Sequence, residues 1–135
     1  VSDIDQTENM VTEGMEAITS AALGLALDAA SLRQQVIAAN IANAQTDGYV
    51  PLDVDFDRQL ADARRTWANS GSVDAASLRD VAPRLVRAAA PDAAHAGLDM
   101  QVAALAQNGV HFQTLLKALS KHYALLEEAV SDGKK

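Results

Sequence analysis

Residues 99–130 read DMQVAALAQNGVHFQTLLKALSKHYALLEEAV. Within this stretch Val102, Leu105, Gly109, Phe112, Leu116, Leu119, Tyr123, Leu126 and Val130 alternate spacings of three and four for four heptads. Such a seam belongs to a long helix packed along another helix. The periodicity predicts a helix over 99–131, with the Asp99 carboxylate capping its first turn. Gly109 inside the seam lowers helix propensity by about 1 kcal/mol relative to Ala, which fits a close neighbouring backbone.

A partner for that helix lies near the other end. Ile18, Ala22, Leu25, Ala29, Leu32, Val36 and Ala39 repeat the same spacing and predict a helix over 15–43. A second row, Leu23, Leu27, Ala30, Ile37 and Ile41, runs beside the first. The expected arrangement pairs the rows of Ile18, Leu25, Leu32 and Val36 with Leu105, Phe112, Leu116, Leu119, Tyr123 and Leu126 as an antiparallel coiled coil. Leu23, Leu27, Ile37 and Ile41 then remain for contacts with other subunits.

Between the helices the chain is punctuated. Thr46-Asp47-Gly48-Tyr49-Val50-Pro51 supplies turn chemistry and stops the first helix. Phe56, Leu60, Ala63 and Trp67 then mark one side of a short helix starting near Asp55. Residues 69–98 hold Ser, Gly, Asp and two prolines and read as irregular, with one brief extended piece at Leu85-Val86. Residues 1–13 are polar and acidic and read as a flexible lead or a frayed helix start. The fold class expected is all-α, one domain over 1–135, with signature turn, short helix and irregular middle filling 44–98. A compact bundle of three helices closed by the Phe56–Trp67 segment satisfies the same periodicities.

Composition agrees. Hydrophobic residues make up 49% of the 135, yet aromatics only 4%, a balance suited to helices in contact rather than to a large interior. There is no cysteine, so neither disulfides nor thiolate metal sites arise. The net charge is −7, and the chain has no concentrated basic surface for nucleic acid. Residues 1–60 carry ten acids against Arg33 and Arg58, so opposite ends of neighbouring subunits can attract. The apolar run Ala17–Ala30 is preceded by five acids and no cation, unlike a secretory signal. Asp28 interrupts it, so membrane insertion is not expected.

No catalytic, cofactor or metal site is expected. His111 and His122 lie about 16 Å apart along one helix, too far to share an ion, and His95 stands alone. Asp53-Val54-Asp55-Phe56-Asp57 opens like a calcium loop, but Arg58 and Arg64 occupy the positions that need Gly and a bidentate acid. Glycine-rich phosphate loops and nucleophile elbows are absent from the sequence.

One segment resembles a known family. Ala39-Asn40-Ile41-Ala42-Asn43-Ala44 followed by Thr46-x-Gly48-Tyr49 is similar to the N-terminal signature of flagellar rod and hook proteins. The continuation Asp53-Val54-Asp55-Phe56 and the later Asn108-x-x-x-Phe112-Gln113-x-Leu115-Leu116 narrow the resemblance to subunits of the proximal rod. Asp47 stands where the family usually has Pro, and Gln101-Val102 where it usually has an acid-Met pair. The resemblance implies a structural subunit exported through the flagellar type III apparatus without signal cleavage. It implies a place in the periplasmic rod of the basal body, with further copies, FlgC, FliE and the FliF ring as partners. It also marks Asn40, Asn43, Thr46, Gly48, Tyr49 and Phe56 as a signature turn that sets how the helix meets its neighbours. The rival from another class is a soluble helical adaptor or chaperone that holds a partner helix in a groove.

Overall fold

The computed structural model describes residues 2–71, 75–89 and 97–133. Helix α1 spans Ser2–Ala42, strand β1 Leu52–Asp55, helix α2 Asp57–Ser70, strand β2 Arg84–Arg87 and helix α3 Leu98–Asp132. The all-α class holds: two long terminal helices and a short middle one dominate, with one small two-stranded ribbon.

α1 starts more than three turns earlier than the apolar periodicity indicates, at Ser2 rather than Met15. In this helical lead the hydroxyls of Thr7 and Thr12 fold back onto the carbonyls of Asp3 and Glu8 at 2.7 and 2.9 Å, as that of Thr19 does further on to Met15 O at 2.9 Å. Asp3 and Asp5 also sit in the first turn, where the helix dipole favours negative charge. By length and composition alone α1 is apolar enough to cross a bilayer, in a window of mean hydropathy 1.3. Only 11% of that window is buried within the chain, and the buried apolar residues of α1 are Ala29, Ala30 and Val36.

The middle is more ordered than its composition suggests. β1 pairs antiparallel with β2 in the register Leu52↔Arg87, Asp53↔Val86, Val54↔Leu85 and Asp55↔Arg84, and the Ala88 N–H extends the ladder to Pro51 O at 3.0 Å. Four-residue strands give too short an alternation to be legible beside the longer helical periods, so only the β2 half stood out. α2 begins after Phe56 and closes on Gly71, whose φ of 69° and N–H bond to Trp67 O at 2.9 Å form a left-handed cap. The parts of the irregular middle at 72–74 and 90–96, with His95, lie outside the described residues. The expected Asp99 cap is not formed. Gly97, at φ 130°, takes the N-cap position and its carbonyl receives the Met100 N–H at 2.9 Å, leaving Asp99 in the first turn.

The core is thin. Ala29 and Val36 of α1 meet Val54, Phe56 and Val81, with Leu25, Leu32, Leu52, Leu60 and Ala63 around them. The ribbon and α2 therefore cover only the C-terminal half of α1. The accessible surface is 9616 Å², against about 6,800 Å² for a compact monomer of this mass.

Candidate assembly surface

The turn after α1 is clamped by one side chain. Asn40, almost wholly buried, donates from Nδ2 to Leu52 O at 2.8 Å and accepts at Oδ1 from Leu52 N at 3.1 Å and from the Tyr49 hydroxyl at 2.9 Å. Its amide thus pairs with Leu52 as a neighbouring strand would, and fixes the direction in which β1 leaves the helix. Asn43 Nδ2 donates to Ala39 O at 2.9 Å, and the Thr46 hydroxyl donates to Asn43 Oδ1 at 3.4 Å. The Tyr49 N–H closes a turn on Thr46 O at 3.1 Å, with Gly48 at φ 76° in the position that demands positive φ. Phe56, the last of the signature residues, is buried in the core at the entry to α2. Arg33 reaches Asp57 at 2.8 Å and ties α1 to the start of α2.

α1 and α3 run antiparallel. Asn108, buried, donates from Nδ2 to Ala30 O and to Gln34 Oε1, each at 2.8 Å, and His122 Nε2 lies 3.1 Å from the Ser20 hydroxyl oxygen. These bonds show which faces meet. On α3 the more buried positions are Gln101, Ala104, Leu105, Asn108, Gly109, Phe112, Leu115, Leu119, His122 and Leu126. The expected seam is therefore rotated by one position in every second place. Leu105, Phe112, Leu119 and Leu126 keep their inward role, whereas Leu116 and Tyr123 are exposed and Asn108, Leu115 and His122 take their places. Polar residues win because Asn108 and His122 find partners across the interface, and a satisfied buried amide carries little penalty. An apolar-only template passes over them; the signal was a polar residue recurring at the position before Gly109 and Tyr123.

On α1 the two rows exchange duties. Leu25, Leu32 and Val36 of the expected helix-pairing seam pack under β1 and α2. The stripe facing α3 is instead set by Ser20, Ala30 and Gln34, and Leu23, Leu27, Ile37 and Ile41 share its heptad spacing. All four are half-buried, as is Ile18 on the other row. The reason is geometric: α1 lies between two partners, and the ribbon, joined to it by a short tight turn, takes the row the turn directs it to.

The helix pair accordingly has a front and a back. On the front, where α2 sits, Arg33, Ile37, Asp57, Ala104 and His111 line one groove. On the back, Ser31, Gln34, Gly109, Phe112 and Gln113 line another. The row that begins under the ribbon continues bare along the front of α1 as Ile4, Val11 and Met15. The row of Gly109 continues bare along the back of α3 as Val102, Leu116, Tyr123 and Val130.

Little else suggests chemistry. A groove of about 700 Å³ opens between α2 and residues 77–84, bordered by Trp67, Arg58 and Arg84. Within it Arg58 meets Asp55 at 2.7 Å, and that bond holds the guanidinium above its already high ordinary pKa. Among the described residues no group of three His, Asp or Glu is placed to hold a metal ion.

A cysteine-free pair of long helices, with a thin core at one end and apolar rows left bare on both faces, is an extended helical subunit rather than a compact bundle. Known proteins give the particular kind. The family profile described as "Flagella basal body rod protein" matches residues 23–49, which run from the middle of α1 through the Asn40 clamp to Tyr49. The flagellar basal body rod protein FlgB of Escherichia coli (strain K12) is 30% identical over 110 residues, covering 70% of this chain and 80% of the relative. FlgB of Shigella flexneri matches to the same extent. The chain belongs to the flagellar basal body rod protein family and is FlgB-like.

Proposed function

We propose that the chain is a structural subunit of the proximal rod of the bacterial flagellar basal body and joins its neighbours through its terminal helices. The observation that carries this reading is the pair of bare rows, Ile4, Val11 and Met15 on α1 and Val102, Leu116, Tyr123 and Val130 on α3. Large apolar side chains in such regular rows are stable in water only when a partner covers them. Leu23, Leu27, Ile37 and Ile41, all half-buried, take part in the lateral contacts with other subunits through the surface they leave open. The family relationship supports a rod position; the partners we assign are further copies, FlgC, FliE and the FliF ring, reached in the periplasm after export by the type III apparatus without signal cleavage. Deleting the gene and imaging basal bodies tests the assignment. Truncated structures that stop at the base are expected, and complete rods in the deletion strain would overturn it.

A further inference from the structure

An aspartate followed by glycine can rearrange without an enzyme, and this chain sets one such step in the open beside its most ordered turn. We infer that the Asp47-Gly48 step isomerises spontaneously to isoaspartate and that the product no longer fits the Asn40 clamp.

Three steps have the required sequence, an Asp or Asn followed by Gly: Asp47-Gly48, Asn108-Gly109 and Asp132-Gly133. Glycine matters because the attacking atom is its backbone nitrogen, and no side chain crowds the approach. The structure separates the three. Asn108 is buried, its Nδ2 is held by Ala30 O and Gln34 Oε1, and the Gly109 N–H lies inside the ladder of α3. The Gly133 N–H is bonded to Ala129 O at 3.1 Å. Asp47 and Gly48 are both exposed, and among the described residues the Gly48 N–H has no acceptor and the Asp47 carboxyl no partner. Gly48 alone has positive φ in this turn, at 76°, and the Tyr49 N–H bonds to Thr46 O. The turn is therefore of type II, with Asp47 and Gly48 at its centre. The peptide that must react is the one peptide of the turn that no hydrogen bond holds.

The chemistry balances without a co-reactant. With the carboxyl protonated, the Gly48 nitrogen attacks Asp47 Cγ. An N–Cγ bond forms, the amide proton and the carboxyl hydroxyl leave as water, and a succinimide ring results. Water then adds to either ring carbonyl. Opening at Cγ restores aspartate, whereas opening at the main-chain carbonyl leaves Gly48 joined through Cγ, so that the main chain is lengthened by Cβ at unchanged mass. The added atom falls between Thr46 and Tyr49, whose N–H reaches Thr46 O at 3.1 Å and whose hydroxyl reaches Asn40 at 2.9 Å. Both bonds depend on the length of the turn, so isoaspartate displaces Tyr49. The same bonds slow the forward step, because ring closure rotates the Asp47-Gly48 peptide while Tyr49 is held.

The full chain is aged in warm, mildly acidic buffer, with and without concentrated urea. Isoaspartate is counted by enzymatic methylation with L-isoaspartyl methyltransferase and labelled S-adenosylmethionine, and located in tryptic fragment 34–58 by electron-transfer fragmentation. The folded chain should accumulate isoaspartate at Asp47 while Asn108 stays intact. In urea the order should reverse, since Asn-Gly is intrinsically the faster step once neither is held. Asn40→Ala should speed the reaction at Asp47 several-fold. Asp47→Pro, which suits the second position of a type II turn, should abolish methylation of that fragment and leave the urea midpoint of the fresh chain no lower. The isomerised fraction, separated by chromatography, should unfold at a lower urea midpoint than the starting chain, as Asn40→Ala does. Fragment 34–58 free of isoaspartate at Asp47, Asn108 reacting first in the folded chain, or an isomerised fraction as stable as the starting material would each overturn the inference.

Discussion

Asn40 concentrates more structure in one side chain than any apolar residue of the chain. Its amide satisfies both backbone groups of Leu52 and the Tyr49 hydroxyl, so Asn40→Ala strands three half-buried polar partners. The expected loss is about 2–3 kcal/mol, measured as a lower urea midpoint at unchanged slope. Gly48 acts through the backbone instead. At φ 76° a β-branched side chain meets its own carbonyl, so Gly48→Val costs about 1–2 kcal/mol although the surrounding space is open. Motility should fall because the turn is redirected; normal rods in that variant would count against this role. Asn108 presents a different balance. Asn108→Ala should cost about 1–2 kcal/mol, whereas Asn108→Leu should be near neutral in stability, because an apolar contact replaces a satisfied polar one. The leucine variant is expected to lose register, not strength. A disulfide between Ser20→Cys and His122→Cys should form in good yield with Asn108 present and in poorer yield with leucine there.

At the scale of elements, Phe56 joins everything that the ribbon and α2 contribute. It is buried among Ala29, Val36, Val54 and Val81 in a cluster of which it is the largest member. Phe56→Ala should cost about 3–4 kcal/mol. Because α1 and α3 hold each other through a separate interface, hydrogen exchange should quicken first in residues 52–87 while the helix pair keeps its protection. Uniform loss of protection would show the two interfaces to be one cooperative unit. The elements differ in how far the sequence disclosed them. Long periods in α1 and α3, the Thr46–Pro51 stop and the Phe56–Trp67 face were legible because each repeats or carries Gly and Pro chemistry. The β1–β2 ribbon was not, since four residues a side leave no room for a pattern and the whole of α2 separates the two strands in sequence. The two rows of α1 were both visible, but their partners were not. Periodicity counts faces; it does not say whether a helix or a ribbon covers each one. Asn108 and His122 were the further loss, because a seam read only from apolar residues slides past polar ones that are satisfied across it.

Over the whole molecule the decisive feature is the separation of core from charge. Packing is concentrated where the ribbon and α2 embrace the C-terminal half of α1, while the other end of the helix pair sets Glu13 and Glu16 of α1 near Glu127, Glu128 and Asp132 of α3. That end is held by few buried side chains and opposed by its own charge, so its helicity should respond to screening. The screening length falls from about 30 Å at 0.01 M salt to about 10 Å at 0.1 M and 3 Å at 1 M. Adding sodium chloride over that range should therefore raise helical content in dilute monomer, with the gain confined to residues 2–17 and 123–133 when followed by amide exchange. Glu13→Gln with Glu127→Gln, which removes one charge from each helix, should reproduce part of the gain at low salt and flatten the response. Salt that left those segments unchanged, or loosened them, would mean that the carboxylates are already accommodated by the pair.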